Sequence, residues 1–197
     1  MDVQDLVAFV VTAVIAGTVP ADTAPRNRHV LIVGDSEACA VAPYAKPVAW
    51  QTNDAAHEPH DDIEIDCKPG TVVQYWGGQG NLRAALERHA RPDVVVVFLG
   101  TNHYREATAA PPVMPILDII SEQGARCVWI GNTAVHGKKW PINRLLSAAV
   151  QPTCEYFDTE AAGIELIDGV HPTKQGAVKW LNLVWPMVTG VELGRND

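Results

Sequence analysis

Basic residues are scarce in this chain: Lys and Arg number 15 against 23 Asp and Glu, a formal net charge of −8 over 197 residues. The few cations are scattered rather than striped, so no electrostatic footprint for a nucleic acid is present, and polyanions are disfavoured as substrates for the same reason. Metal-binding signatures are missing as well. Cys39, Cys67, Cys127 and Cys154 form no CxxC pair and no Cys/His zinc spacing, which leaves buried thiols or one to two disulfides with the pairing open. Cys39 and Cys67 could lie close together; separate buried thiols serve equally well. Repeats and low-complexity stretches are absent, and 47% of the residues are hydrophobic, so one globular domain with a sizeable core is expected.

The apolar run Leu6 to Val19 is too short for a comfortable membrane span and about right for the core of an export signal. Val19-Pro20-Ala21 would supply a small-residue cleavage site, whereas the acidic start Met1-Asp2-Val3-Gln4-Asp5 is the wrong charge for an export leader. Two readings stand: a secreted or cell-envelope location, or an N-terminal helix packed on the domain or a neighbour. A membrane or protein partner is expected only through residues 6–19. The chain therefore divides into an N-terminal segment and linker, 1–28, and a folded domain, 29–197.

From residue 29 onward, apolar runs alternate with helical patterns, as in βαβ units with a parallel sheet. Strands are predicted at His29 to Val33, Ile63 to Cys67, Val94 to Leu99, Cys127 to Ile130 and Glu155 to Phe157. Val94 to Leu99 is apolar on both faces, the mark of a central strand covered by helices on either side. Helices are predicted at Ser36 to Tyr44, Leu82 to His89, Val113 to Gln123, Ile142 to Val150 and Thr173 to Trp185, the last ending before Pro186. Thr71 to Trp76 suits a strand or a helical turn. Lys46 to Asp62 reads as a surface excursion, and its His57, His60, Asp61 and Asp62 as loop residues rather than metal ligands.

Three short motifs carry chemistry. Gly34-Asp35-Ser36 puts a hydroxyl at the C-terminal end of the first strand, where open α/β sheets keep their sites. A serine needs a base to take its proton, and the base needs a third group to orient it. In Asp168-Gly169-Val170-His171-Pro172 a carboxylate lies three residues before an imidazole in a tight loop, so the two can turn toward each other. Asn102 of Gly100-Thr101-Asn102 ends the central strand and offers a side-chain N–H to a developing oxyanion; the backbone N–H of Ser36 offers another. Gly70, after the second strand, is a third donor, with Gly77, Gly78 and Gly80 as rivals. No Gly-x-Ser-x-Gly elbow surrounds the serine, and no Gly-x-Gly-x-x-Gly follows the first strand, which disfavours an α/β-hydrolase proper and a dinucleotide-binding domain.

The order Gly34-Asp35-Ser36, a second-block glycine, Gly100-Thr101-Asn102, then Asp168-x-x-His171-Pro172 resembles the SGNH, or GDSL-type, hydrolases from about His29 to the C-terminal helix. It departs from that pattern at His103, where an aspartate is common, and at Lys68-Pro69-Gly70. The resemblance implies a flavodoxin-like three-layer α/β/α sandwich with a five-stranded parallel sheet in order 2-1-3-4-5. It also implies catalysis by Ser36, His171 and Asp168 with oxyanion donors from Ser36, Gly70 and Asn102, and neither metal nor organic cofactor. The expected activity is cleavage of a carboxylic ester through an acyl-serine, with a small acyl group such as acetyl on a carbohydrate or similar small molecule. His103, Tyr104, Trp76 and Trp140 are candidates for contacting the substrate. The alternatives are a lipolytic esterase or thioesterase, an acyltransferase, or a non-catalytic structural module of the same fold.

Overall fold

The computed structural model describes residues 27–190 apart from 58, 107, 140 and 152; the apolar run at 6–19 and Trp140 lie outside the described residues. Five strands, β1 (His29–Gly34), β2 (Asp62–Cys67), β3 (Val94–Phe98), β4 (Arg126–Ile130) and β5 (Glu155–Phe157), form one parallel sheet in the order β2-β1-β3-β4-β5. Every residue of β3 is buried, because its two faces meet two separate hydrophobic layers. Val95 and Val97 pack with Trp129 under the helices α2 (Val73–Gly77), α3 (Asn81–Arg88), α4 (Met114–Glu122) and α5 (Ile142–Val150). Val94, Val96 and Phe98 pack on the other side under α1 (Ser36–Ala56) and α6 (Lys174–Thr189). The three-layer α/β/α expectation and its strand order hold.

Two helices run further than their predicted ends. α1 continues through Pro43 and Pro47 to Ala56, so Lys46 to Asp62 is mostly helix, not an excursion. Its apolar stripe, Ala38, Val41, Ala45, Val48 and Ala49, continues unbroken at helical spacing on the buried face. Both prolines are exposed, where water can satisfy the carbonyls that lose their N–H partners. α6 likewise passes Pro186, because Val184 and Trp185 before it and Val188 after it are all buried on the same side of the sheet. His60 and Asp61, read as loop residues, have fixed partners. His60 stacks on Trp50 and bonds Asp54 at 2.8 Å, and Asp61 pairs with Arg28 at 2.8 Å.

The ambiguous stretch Thr71 to Trp76 holds the short helix α2, so β2 keeps its place as the second strand of the chain. All four cysteines are bridged: Cys39 to Cys67 and Cys127 to Cys154. The first bridge ties the opening turn of α1 to the end of β2. The second ties the start of β4 to the residue before β5.

Candidate active site

The C-terminal ends of β1, β3 and β4 converge on the first turn of α1. Gly34 makes this approach possible, since a Cβ there would sit 2.2 Å from the Phe98 carbonyl oxygen. Without one, the Asp35 N–H donates to that oxygen at 3.1 Å, and the Lys68 N–H reaches the Gly34 carbonyl at 2.9 Å. Asp35 caps α1, its carboxylate accepting the Glu37 N–H at 3.0 Å, a standard way to satisfy a free amide at a helix start. Ser36 is thus fixed as the first residue of the helix, half-buried between two fully buried acids.

Asn102, on the 3-10 turn Thr101–Glu106 after β3, donates from Nδ2 to the Thr71 carbonyl at 2.8 Å and to Asp35 Oδ2 at 3.3 Å. Those two bonds bring the loop after β2, which carries Gly70, beside the serine's helix. Gly70 has φ +74 and is exposed, with open space where a side chain would be. Gly77, by contrast, packs on Pro115 and Ile116 of α4, a structural duty.

The late loop holds its histidine tightly. Asp168 Oδ1 accepts the N–H groups of Val170 at 2.9 Å and His171 at 2.7 Å, and Oδ2 lies 2.7 Å from His171 Nδ1. The side-chain bond to His171 and then these backbone bonds hold the Asp168 carboxyl well below the usual carboxylate range, so it is ionised and fixes the Nδ1–H tautomer. Gly169, at φ +82, leaves room for His136, whose N–H donates to the Gly169 carbonyl at 2.6 Å. On the inner side, Thr133 Oγ1 lies 3.3 Å from the Val170 carbonyl and 3.1 Å from Glu37 Oε1. The His171 loop is thereby joined to the residue that follows Ser36. Burial pushes the Asp35 carboxyl up to about 7, against the smaller opposing pulls of the Glu37 N–H and of the nearby His171.

Two of the expected substrate contacts sit elsewhere. Trp76 is 1% exposed and donates Nε1–H to Thr71 Oγ1 at 3.1 Å, and His103 is buried with Nε2 accepting the Val73 N–H at 3.2 Å. Both brace the loop between β2 and α2 from inside. The Tyr104 side chain and Trp140 lie outside the described residues.

No protein-family model and no curated protein matches the chain. Solved structures do. TesA matches at a TM-score of 0.65 and 20% identity, covering 84% of this chain and 100% of that one. A GDSL-like lipase candidate from Parabacteroides merdae gives 0.62 at 15% identity over 85% and 97%. An acetylxylan esterase from Geobacillus stearothermophilus, in a catalytic mutant of Axe2, gives 0.61 at 16% identity over 88% and 100%. The chain has the fold of the GDSL-type hydrolases. Within this GDSL-type fold, Asp35, Glu37, Thr101 and Thr133 are polar residues of the site that the motifs did not single out. For Glu37 a signal existed: positions 37, 41, 45 and 48 share one helix face, and the last three are core.

Proposed function

We propose that the protein is a serine hydrolase that cleaves carboxylic esters through an acyl-Ser36 intermediate. The observation that carries this reading is the Asp168–His171 pair at 2.7 Å, on a loop bonded through Thr133 to the helix that Ser36 opens. Ser36 Oγ attacks the ester carbonyl carbon while its proton passes to His171 Nε2, and Asp168 stabilises the imidazolium. The carbonyl oxygen, now negative, is met by the N–H groups of Ser36 and Gly70 and by Asn102 Nδ2. His171 returns the proton to the departing alcohol. Water then attacks the acyl carbon, gives its proton to His171, and releases the acid as Ser36 regains its hydrogen.

A small acyl group, acetyl on a carbohydrate or a similar hydroxylated compound, is the substrate class. It is supported by the lack of a long apolar insertion to house a fatty tail among the described residues, and by the fold shared with an acetylxylan esterase. A fluorophosphonate probe should label the wild type and neither Ser36→Ala nor His171→Ala. On a panel of acetyl to palmitoyl p-nitrophenyl esters and acetylated sugars, the short esters should turn over fastest. Preference for long chains would shift the reading to a lipolytic enzyme or thioesterase, and an unlabelled, inactive wild type to a structural module.

A further inference from the structure

Glu37 is 1% exposed, and no Lys or Arg pairs with it among the described residues. A buried carboxyl without a cation is costly, so it persists where its hydrogen bonds do something specific. Its two oxygens reach two different loops. Oε2 lies 2.7 Å from Thr101 Oγ1, next to Asn102, and Oε1 lies 3.1 Å from Thr133 Oγ1, which in turn reaches the Val170 carbonyl next to His171. One side chain therefore touches, at one remove each, the arm that carries the oxyanion amide and the arm that carries the imidazole, while its own backbone follows Ser36.

We infer that Glu37 is a positioning residue, a clamp that sets the spacing of Ser36, Asn102 and His171 by holding Thr101 and Thr133. The inference rests on the hydrolase reading for its kinetic consequence and on geometry alone for its structural one. Burial and the neighbouring Asp35 favour the neutral form of the clamp. Thr101 Oγ1 has a single proton and sits between two oxygens, Glu37 Oε2 and Asn132 Oδ1 at 3.1 Å. A protonated Glu37 donates to Thr101, freeing the threonine proton for Asn132. Turning the Asn132 amide would also satisfy Thr101, but would leave a carboxylate charge buried beside Asp35. Burial first, and the Asp35 charge second, push the Glu37 carboxyl up to about 8. The titratable groups that face it are Asp35 from its own segment and, beyond Asp35, His171 from the loop before α6. The loop after β3 brings it the neutral hydroxyl of Thr101, and the loop after β4 brings it both the backbone N–H and the hydroxyl of Thr133, whose one proton is shared with the Val170 carbonyl.

The test compares Glu37→Gln, Glu37→Leu and Thr133→Val, read by ester turnover and by NMR of the His171 ring and the Asn102 side-chain amide. Gln reproduces the neutral acid, donating from Nε2 and accepting at Oε1, so it should keep near-native kcat and His171 and Asn102 resonances. It should also lack the fall in kcat that loss of the Glu37 proton is expected to cause in the wild type above about pH 8. Leu keeps the volume and removes both bonds. With KM little changed, it should lower kcat by about a hundredfold, the scale of a small misplacement of reacting groups, and shift both sets of resonances. Thr133→Val should move His171 and spare Asn102. A folded Glu37→Leu protein with native kcat and unmoved resonances would reduce Glu37 to core filling. If the wild type proves inactive on all esters, the hydrolase reading fails, yet the resonances still decide the clamp.

Discussion

The two rims of the sheet treat buried acids in opposite ways. At the N-terminal rim Asp61, fully buried, is met by the Arg28 guanidinium at 2.8 Å and by Trp185 Nε1 at 3.3 Å. Arg28 also donates to the Thr189 carbonyl, and Arg126 pairs with Glu155 and reaches the carbonyls of Met187 and Val188. These contacts sew the strand starts to the end of α6. At the C-terminal rim Asp35 and Glu37 are as deeply buried, but hydroxyls, an amide and backbone N–H groups are their partners, and the nearby titratable base is His171. One rim neutralises charge with a fixed cation and serves stability; the other leaves its carboxyls raised in pKa beside a histidine, the pattern expected of a working site.

Substitutions should separate the rims. Ser36→Ala should cost about 10^4- to 10^6-fold in kcat, the range found when a catalytic nucleophile is removed, with the melting temperature nearly unmoved. Asp168→Asn keeps the shape of the loop and removes the charge that fixes the His171 tautomer; a loss of about 10^3- to 10^4-fold in kcat is expected. At the far rim Asp61→Ala should do the reverse. It leaves the part-buried Arg28 without its carboxylate and Trp185 Nε1 without its acceptor, at a cost of about 1–3 kcal/mol in urea unfolding, while the fraction still folded keeps its kcat.

The two disulfides sharpen the contrast because they close loops of nearly equal length, with sequence separations of 28 and 27. Chain entropy alone gives each about 3–4 kcal/mol. Replacing either pair with alanine should therefore lower stability by similar amounts. Only the Cys39–Cys67 pair joins the Ser36 helix to the loop before Gly70, so only its loss should also reduce kcat. Equal kcat in the two double variants would mean that the bridge next to the serine is structural alone.

The last contrast is in pH. Glu37 holds its proton in the folded protein up to about 8, whereas an unfolded glutamate loses it near pH 4.3. Between those values the folded state binds more protons, so stability falls as pH rises. This contribution is complete below about pH 4 and is lost as pH passes through the folded pKa. Urea unfolding at pH 5 and pH 9 should show the decline, and Glu37→Gln should reduce it to the share carried by Asp35, whose carboxyl burial pushes up to about 7.

Much of this was readable from residues. The strands announced themselves because both faces of a parallel sheet are covered, so Val94 to Phe98 has no polar alternation to obscure it. The serine and the Asp168–His171 pair stood out because their chemistry needs particular residue types at short spacing. Pro47 and Pro186 misled, since a proline stops a helix only where burial on the other side does not outweigh the lost bond. Trp76 and His103 misled in another way: both are near the site in sequence but turn inward to brace a loop. The disulfide partners and the Glu37 clamp depend on contacts between residues 27 to 96 positions apart, which no local pattern encodes.

The most direct measurement of the central claim is a crystal structure of the protein after reaction with a phosphonate ester. Phosphorus bonded to Ser36 Oγ, its oxygen within hydrogen-bond distance of the N–H groups of Ser36 and Gly70 and of Asn102 Nδ2, and His171 Nε2 against the adduct is the predicted result. An adduct on any other residue, or a phosphonylated Ser36 whose oxygen points away from Asn102 with His171 out of reach, would contradict it.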